Sequence, residues 1–162
     1  MTLAAVSIPT QTTVGMGQIA VGTKDERLNA VLGSCVGVVL FHPQLHAAAL
    51  AHVVLPASSG RDGAPGKFAD TAIAAMITEL ARLGINRAGL VAKLVGGACM
   101  FGAGGPMQIG DANIAATRQA VAAAGIPIVA EDVGGRVGRR ITVTCNDGRV
   151  TIECVHKPPQ TI

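Results

Sequence analysis

Neither tryptophan nor tyrosine occurs in these 162 residues, and phenylalanine occurs only three times. A chain so poor in aromatic faces lacks the platforms on which single-stranded bases stack. Its net charge of +3 is spread along the chain, so no basic stripe is laid out to follow a phosphate backbone. Both absences argue against nucleic acid as a partner. Cysteine is sparse: Cys35, Cys99, Cys145 and Cys154 form no CxxC pair, which removes the usual zinc spacings. The amino terminus has no basic segment followed by an apolar block, so an export signal is not expected and the four cysteines read as reduced thiols. No metal or cofactor motif is found. An unbroken apolar run long enough for a bilayer is missing as well. The most apolar stretch, Val31 to Leu55, is interrupted by His42, Pro43, Gln44, His46 and His52, whereas a span needs roughly 20 mostly apolar residues. The expectation is a cytoplasmic protein without direct membrane insertion.

What is present is a large aliphatic core fraction. Apolar residues make up 49% of the chain, carried by Val, Ile, Leu, Met and Ala, and the length suits one domain. Residues 1–17 mix Thr, Gln, Pro and Gly without periodicity and read as a flexible arm. Residues 18–155 read as the domain, and residues 156–162, with Pro158-Pro159, as a flexible tail. Cys35 to Phe41 and Ala47 to Leu55 are nearly continuously apolar, the pattern of central strands covered on both faces, joined by a turn at His42–His46. Helical spacing of Ile73, Met76, Ile77, Leu80 and Leu83 predicts a helix over 67–83 that ends at Gly84. A second helix is expected from Asp111 or Ala112 to Ala124, before Gly125. Further strands are expected at 18–21, 28–32, 90–95 and 126–130. A hairpin over 139–155 turns on Asn146-Asp147-Gly148. The expected fold is α/β, a single-domain sandwich of a mixed β-sheet with at least two packed helices.

Two reactive side chains stand at the edges of the two central strands. Cys35 follows Leu32-Gly33-Ser34, and His52 lies in Ala51-His52-Val53-Val54-Leu55-Pro56. A thiol and an imidazole on neighbouring strands are the minimum parts of a cysteine nucleophile with its base. A lone buried Cys is ordinarily just a small hydrophobe, so the pair gains weight only from its surroundings. Gly96-Gly97 and Gly134-Gly135 read as tight turns and not phosphate cradles, because no P-loop Lys-Ser/Thr follows. Glu131 and Asp132 read as ion-pair partners of Arg136, Arg139 and Arg140. Cys99, Cys145 and Cys154 read as structural, and His42 and His46 as solvated.

In order along the chain come Leu32-Gly33-Ser34-Cys35-Val36, Ala51 to Pro56, Gly66-Lys67-Phe68-Ala69-Asp70-Thr71-Ala72, Gly96-Gly97-Ala98 with Met100-Phe101, Ile109-Gly110, and Glu131-Asp132-Val133-Gly134-Gly135. With this ordered set the chain resembles the CheD family, the chemoreceptor glutamine deamidases of bacterial chemotaxis. The resemblance implies a fold related to cysteine deamidase toxins. It also implies hydrolysis of selected glutamines to glutamate on the cytoplasmic helices of methyl-accepting chemotaxis receptors, with a CheC-type phosphatase as a further partner. Carried over by position, the nucleophile falls on Cys35 and the histidine on His52. The family's third residue, usually Thr, falls on Asn29, whose amide oxygen can accept from an imidazole N–H as in papain-like Cys-His-Asn sites. Gly33 and Ser34 are the candidates for the turn that presents oxyanion donors, including the N–H of Cys35. The family's basic residue after Ile109-Gly110 is missing from Asp111-Ala112-Asn113. Two other functions remain open: a non-catalytic adaptor that docks on receptors or on a CheC-type phosphatase, and a redox-sensing thiol protein using Cys35.

Overall fold

Two apolar segments, residues 36–42 and 47–53, have no face suited to water, and the architecture follows from covering both sides of each. The computed structural model describes residues 8–100 and 108–162. Its elements are β1 (Gln11–Thr13), β2 (Ile19–Thr23), β3 (Arg27–Leu32), β4 (Val36–His42), β5 (Ala47–Val53), α1 (Ala69–Arg82), β6 (Val91–Gly96), α2 (Ile109–Ala123), β7 (Ile128–Val133), β8 (Arg139–Thr144), β9 (Val150–Glu153) and β10 (Gln160–Thr161), with a 3₁₀ turn at Pro65–Lys67. Part of the expected arm (residues 1–7) and part of the Gly-rich connection around Phe101 (residues 101–107) lie outside the described residues.

The strands divide between two five-stranded sheets, ordered β2-β5-β4-β6-β7 and β1-β3-β8-β9-β10. Each residue of β4 and β5 is buried. Alternation sends Val36, Val38, Leu40, Ala47, Ala49, Ala51 and Val53 toward α1 and α2. It sends Val39, Phe41, Ala48 and Leu50 toward Leu28, Ala30, Leu32, Ile141 and Val143 of the second sheet. The molecule is therefore three layers, helices on one sheet and that sheet on another. The α/β sandwich with two packed helices matches the expectation. The physical reason for two sheets is that β4 and β5 are apolar on both faces, and helices cover only one.

Both helices end where glycine takes a positive φ, at Gly84 (78°) and Gly125 (73°). The hairpin β8–β9 forms as expected. His42 departs from the expectation of a solvated side chain: it is buried, with Nε2 on the carbonyl of Ala88 at 3.1 Å and Nδ1 accepting from the Leu45 N–H. The terminal segments also depart from the expected arm and tail. β1 pairs in parallel with β3, and β10 pairs antiparallel with β9. Lys93 donates to the carbonyls of Gly148 and Ile162 at 2.8 and 2.9 Å, fastening the last residues to the sheet.

Candidate active site

Cys35 immediately precedes β4, and His52 lies in β5 opposite Gly37. Cys35 and Gly37 are two residues apart and share a face, so the thiol and the imidazole are diagonal neighbours on the side of the sheet that meets the second sheet. Cys35 belongs there to the apolar cluster that also holds Leu32, Val39 and Ile141. Both residues sit near the end of the sandwich and are almost covered, Cys35 at 8% and His52 at 4% exposure. No hydrogen bond joins them in the resting structure. A cavity of about 710 Å³ lies between α1 and α2, but neither Cys35 nor His52 lines it. The candidate chemistry and this concavity are thus separate places.

The imidazole is held by the main chain. Its Nδ1 lies 3.0 Å from the carbonyl oxygen of Val14. A carbonyl only accepts, so Nδ1 carries a proton, and in the neutral ring the lone pair is left on Nε2. The segment holding it is itself fixed: the Val14 N–H donates to the Asn29 carbonyl at 2.8 Å, and the Gly17 N–H donates to the His52 carbonyl at 2.9 Å. Here the structure corrects the expectation for Asn29. On β3, Leu28, Ala30 and Leu32 face the second layer, so period-two alternation turns the Asn29 side chain to the opposite face. Its Oδ1 accepts from the Thr13 hydroxyl at 2.9 Å instead of from the imidazole. Asn29 contributes to the site through its backbone, one step removed from His52.

The turn before Cys35 is clamped from three sides. The Ala98 N–H donates to the Gly33 carbonyl at 2.9 Å, and the Gly97 N–H donates to the Cys35 carbonyl at 2.8 Å. Asn113, fully buried on α2, donates through Nδ2 to the carbonyls of Ser34 at 3.0 Å and Val54 at 2.9 Å. One amide thus ties the turn before Cys35 to the strand that carries His52. Truncating Asn113 would orphan both carbonyls, at about 1–3 kcal/mol each. Close packing of backbone delivers it there. A Cβ at Gly96 would stand 2.4 Å from the Cys35 carbonyl oxygen, and one at Gly110 would stand 2.5 Å from that of Gly97. Glycine at these positions lets the first turn of α2 press onto the strand end. Sequence reasoning missed Asn113. The available signal was a lone amide on the core-facing stripe of a helix, one turn after Gly110.

Burial pushes the Cys35 thiol above its ordinary range, which favours the protonated thiol over the thiolate. Glu131 is held below the usual carboxylate range by its hydrogen bond to Arg118, at 2.6 Å. Arg118 replaces the Arg136, Arg139 and Arg140 set expected for it, while Asp132 does pair with Arg139, at 3.1 Å. These pairs brace β7 and carry no chemistry at Cys35.

Known proteins resemble this chain along most of its length. The family model described as CheD chemotactic sensory transduction matches residues 54–154. That span begins two residues after His52 and does not include Cys35, but similarity to whole proteins is wider. The chain is 40% identical over 141 residues to a protein of Methanococcus vannielii named probable chemoreceptor glutamine deamidase CheD, covering 86% of this chain and 92% of the relative. A protein of the same name from Symbiobacterium thermophilum is 40% identical over 150 residues, covering 88% and 91%. The chemoreceptor glutamine deamidase CheD of Thermotoga maritima is 37% identical over 143 residues, covering 88% and 90%. With a family model over most of its length and relatives matched nearly end to end, the chain belongs to the CheD family.

Proposed function

We propose that this protein deamidates glutamine side chains on the cytoplasmic helices of methyl-accepting chemotaxis receptors, with Cys35 as nucleophile and His52 as base. The observation that carries the reading is the Nδ1 bond of His52 to the Val14 carbonyl, which leaves Nε2 free on the face that the Cys35 sulfur shares. The names of the relatives, chemoreceptor glutamine deamidases, supply the substrate class.

A carboxamide is a weak electrophile, and ammonia leaves only after protonation. The raised Cys35 thiol must therefore lose its proton as it attacks. The sulfur adds to the glutamine side-chain carbonyl carbon, the thiol proton passes to Nε2, and the carbonyl electron pair moves onto oxygen. That oxyanion needs aimed N–H donors, each worth about 3 kcal/mol, for which the turn Gly33-Ser34-Cys35 is the candidate. Collapse breaks the carbon–nitrogen bond while the imidazolium returns the proton to nitrogen, releasing ammonia and leaving a thioester. Water then attacks with His52 again as base, giving glutamate and the free thiol. Proton transfer of this kind contributes roughly 10²–10⁴-fold. Cys35→Ala and His52→Ala are expected to abolish ammonia release from receptor fragments, and full activity in either would end the assignment.

A second reading, a non-catalytic adaptor for receptors or a CheC-type phosphatase, is favoured by one observation: the resting thiol is buried and unbonded to the ring. Mass spectrometry of incubated receptor fragments separates the two. A glutamine-to-glutamate change supports the enzyme, and unmodified fragments that still bind support the adaptor. The cytoplasm as location follows from the same substrate assignment. No described helix is long and apolar enough to cross a membrane.

A further inference from the structure

We propose that Asn113 is a positioning residue for the oxyanion of this reaction, aiming the N–H of Cys35 at the substrate oxygen. The inference rests on the deamidase reading and adds a residue to it. In a trans peptide the carbonyl and the next N–H point in opposite directions within one plane. Asn113 Nδ2 holds the Ser34 carbonyl at 3.0 Å from the α2 side, so the Cys35 N–H is turned away from α2. The Cys35 side chain packs between the two sheets, on the face opposite the helices. The N–H and the sulfur are therefore presented on the same side of the turn, as an oxyanion donor and its nucleophile must be.

Among the described residues the Cys35 N–H engages no acceptor, whereas the carbonyls of Gly33, Ser34 and Cys35 are all engaged. Buried N–H groups without acceptors are rare, and here the neighbouring acceptors are tied down while the donor is left open. The amide orientation of Asn113 follows from its partners: both Nδ2 hydrogens meet carbonyl oxygens, and a flipped amide would set three oxygens together. Among the described residues its buried Oδ1 has no partner. Because Nδ2 also holds the Val54 carbonyl, the turn is fixed relative to the His52 strand by the same group.

The test compares two reactions of one thiol. Alkylation of Cys35 by iodoacetamide is a displacement that forms no oxyanion, while deamidation forms one in each half-reaction. In Asn113→Ala, kcat for ammonia release from receptor fragments is expected to fall about 100-fold, with KM and the alkylation rate little changed. A wild-type kcat, or a parallel fall of both rates, overturns the proposal. Should Asn113→Ala not fold, the unaltered chain provides the reading. A receptor peptide carrying an aldehyde in place of the glutamine carboxamide adds to Cys35: the carbon–sulfur bond forms, the carbonyl pair moves to oxygen, and His52 takes the thiol proton. In the ¹⁵N-labelled adduct the Cys35 amide proton should move downfield. An adduct seen by mass with that resonance unmoved overturns the proposal. If the wild-type chain releases no ammonia, the deamidase reading fails by itself, and the adduct still reports whether this N–H meets an oxyanion.

Discussion

His52 takes its orientation from a backbone oxygen, and a backbone oxygen does not depend on the side chain next to it. Asn29→Ala should therefore cost little activity, less than about tenfold, whereas His52→Ala should cost at least ~10²-fold. Asn29→Ala still loses the Thr13 hydrogen bond, so a small loss of stability, about 1 kcal/mol, is expected in urea unfolding. A loss of ammonia release as deep as that of His52→Ala would restore the Asn29 side chain to the catalytic set. Cys35 supplies a second prediction at this scale. Its thiol is raised by burial, so without substrate its alkylation rate should keep climbing as pH passes 9.0, the ordinary thiol value. A plateau below neutral pH, followed by mass spectrometry, would show a preformed thiolate instead.

Among the elements, α2 is the one on which the proposed site leans most, because its Asn113 holds the Ser34 and Val54 carbonyls. Gly110→Ala would put a Cβ 2.5 Å from the Gly97 carbonyl oxygen and 2.6 Å from that of Ala98. Backbone cannot yield there as a side chain would. The helix start must lift, at a cost of roughly 1–3 kcal/mol, and Asn113 lifts with it. Calorimetry should show the lower melting temperature, and ammonia release should fall further than the folded fraction does. The helices and central strands were legible because each carries a strong local signal: glycine after the last turn at Gly84 and Gly125, and unbroken apolar runs in β4 and β5. The thiol and the imidazole were legible because ordered motifs surround them. β1 was not, since Gln11, Thr12 and Thr13 are polar, exposed and too few to show alternation. β10 was hidden behind Pro158-Pro159. The outward turn of Asn29 depends on which face of β3 is buried, and that is decided by the second sheet, a long-range fact absent from local spacing. Asn113 was hidden because an amide inside an Ala-rich helix reads as a group facing water until the carbonyls it meets are known.

Across the whole molecule, the region between the sheets also sets how stability responds to alkali. Cys145 is fully buried there, and burial, aided by the charge of Glu26, pushes its thiol up to about 12 from the ordinary 9.0. Between those values the unfolded chain has released the proton and the folded chain has not. Stability must then fall as pH rises above about 9, with a slope approaching ~1.4 kcal/mol per pH unit. Cys35 adds to the same trend. Urea titrations between pH 8 and about 11 should show this decline, and Cys145→Ala should flatten it; an unchanged slope in that variant would assign the effect elsewhere.

The chain that braces His52 runs on from a short edge strand of the sandwich, and its hold is a few backbone bonds. β1 is three residues long, exposed along its length, and paired on one side only, yet Val14 immediately after it holds the imidazole. Segments of that kind detach locally at a fraction of the global unfolding free energy. On warming, the ring should come adrift while both sheets and both helices are still intact. Residual turnover measured across a temperature ramp is therefore expected to vanish several degrees before circular dichroism registers any melting. Coincident midpoints would mean that the edge is fastened as firmly as the centre.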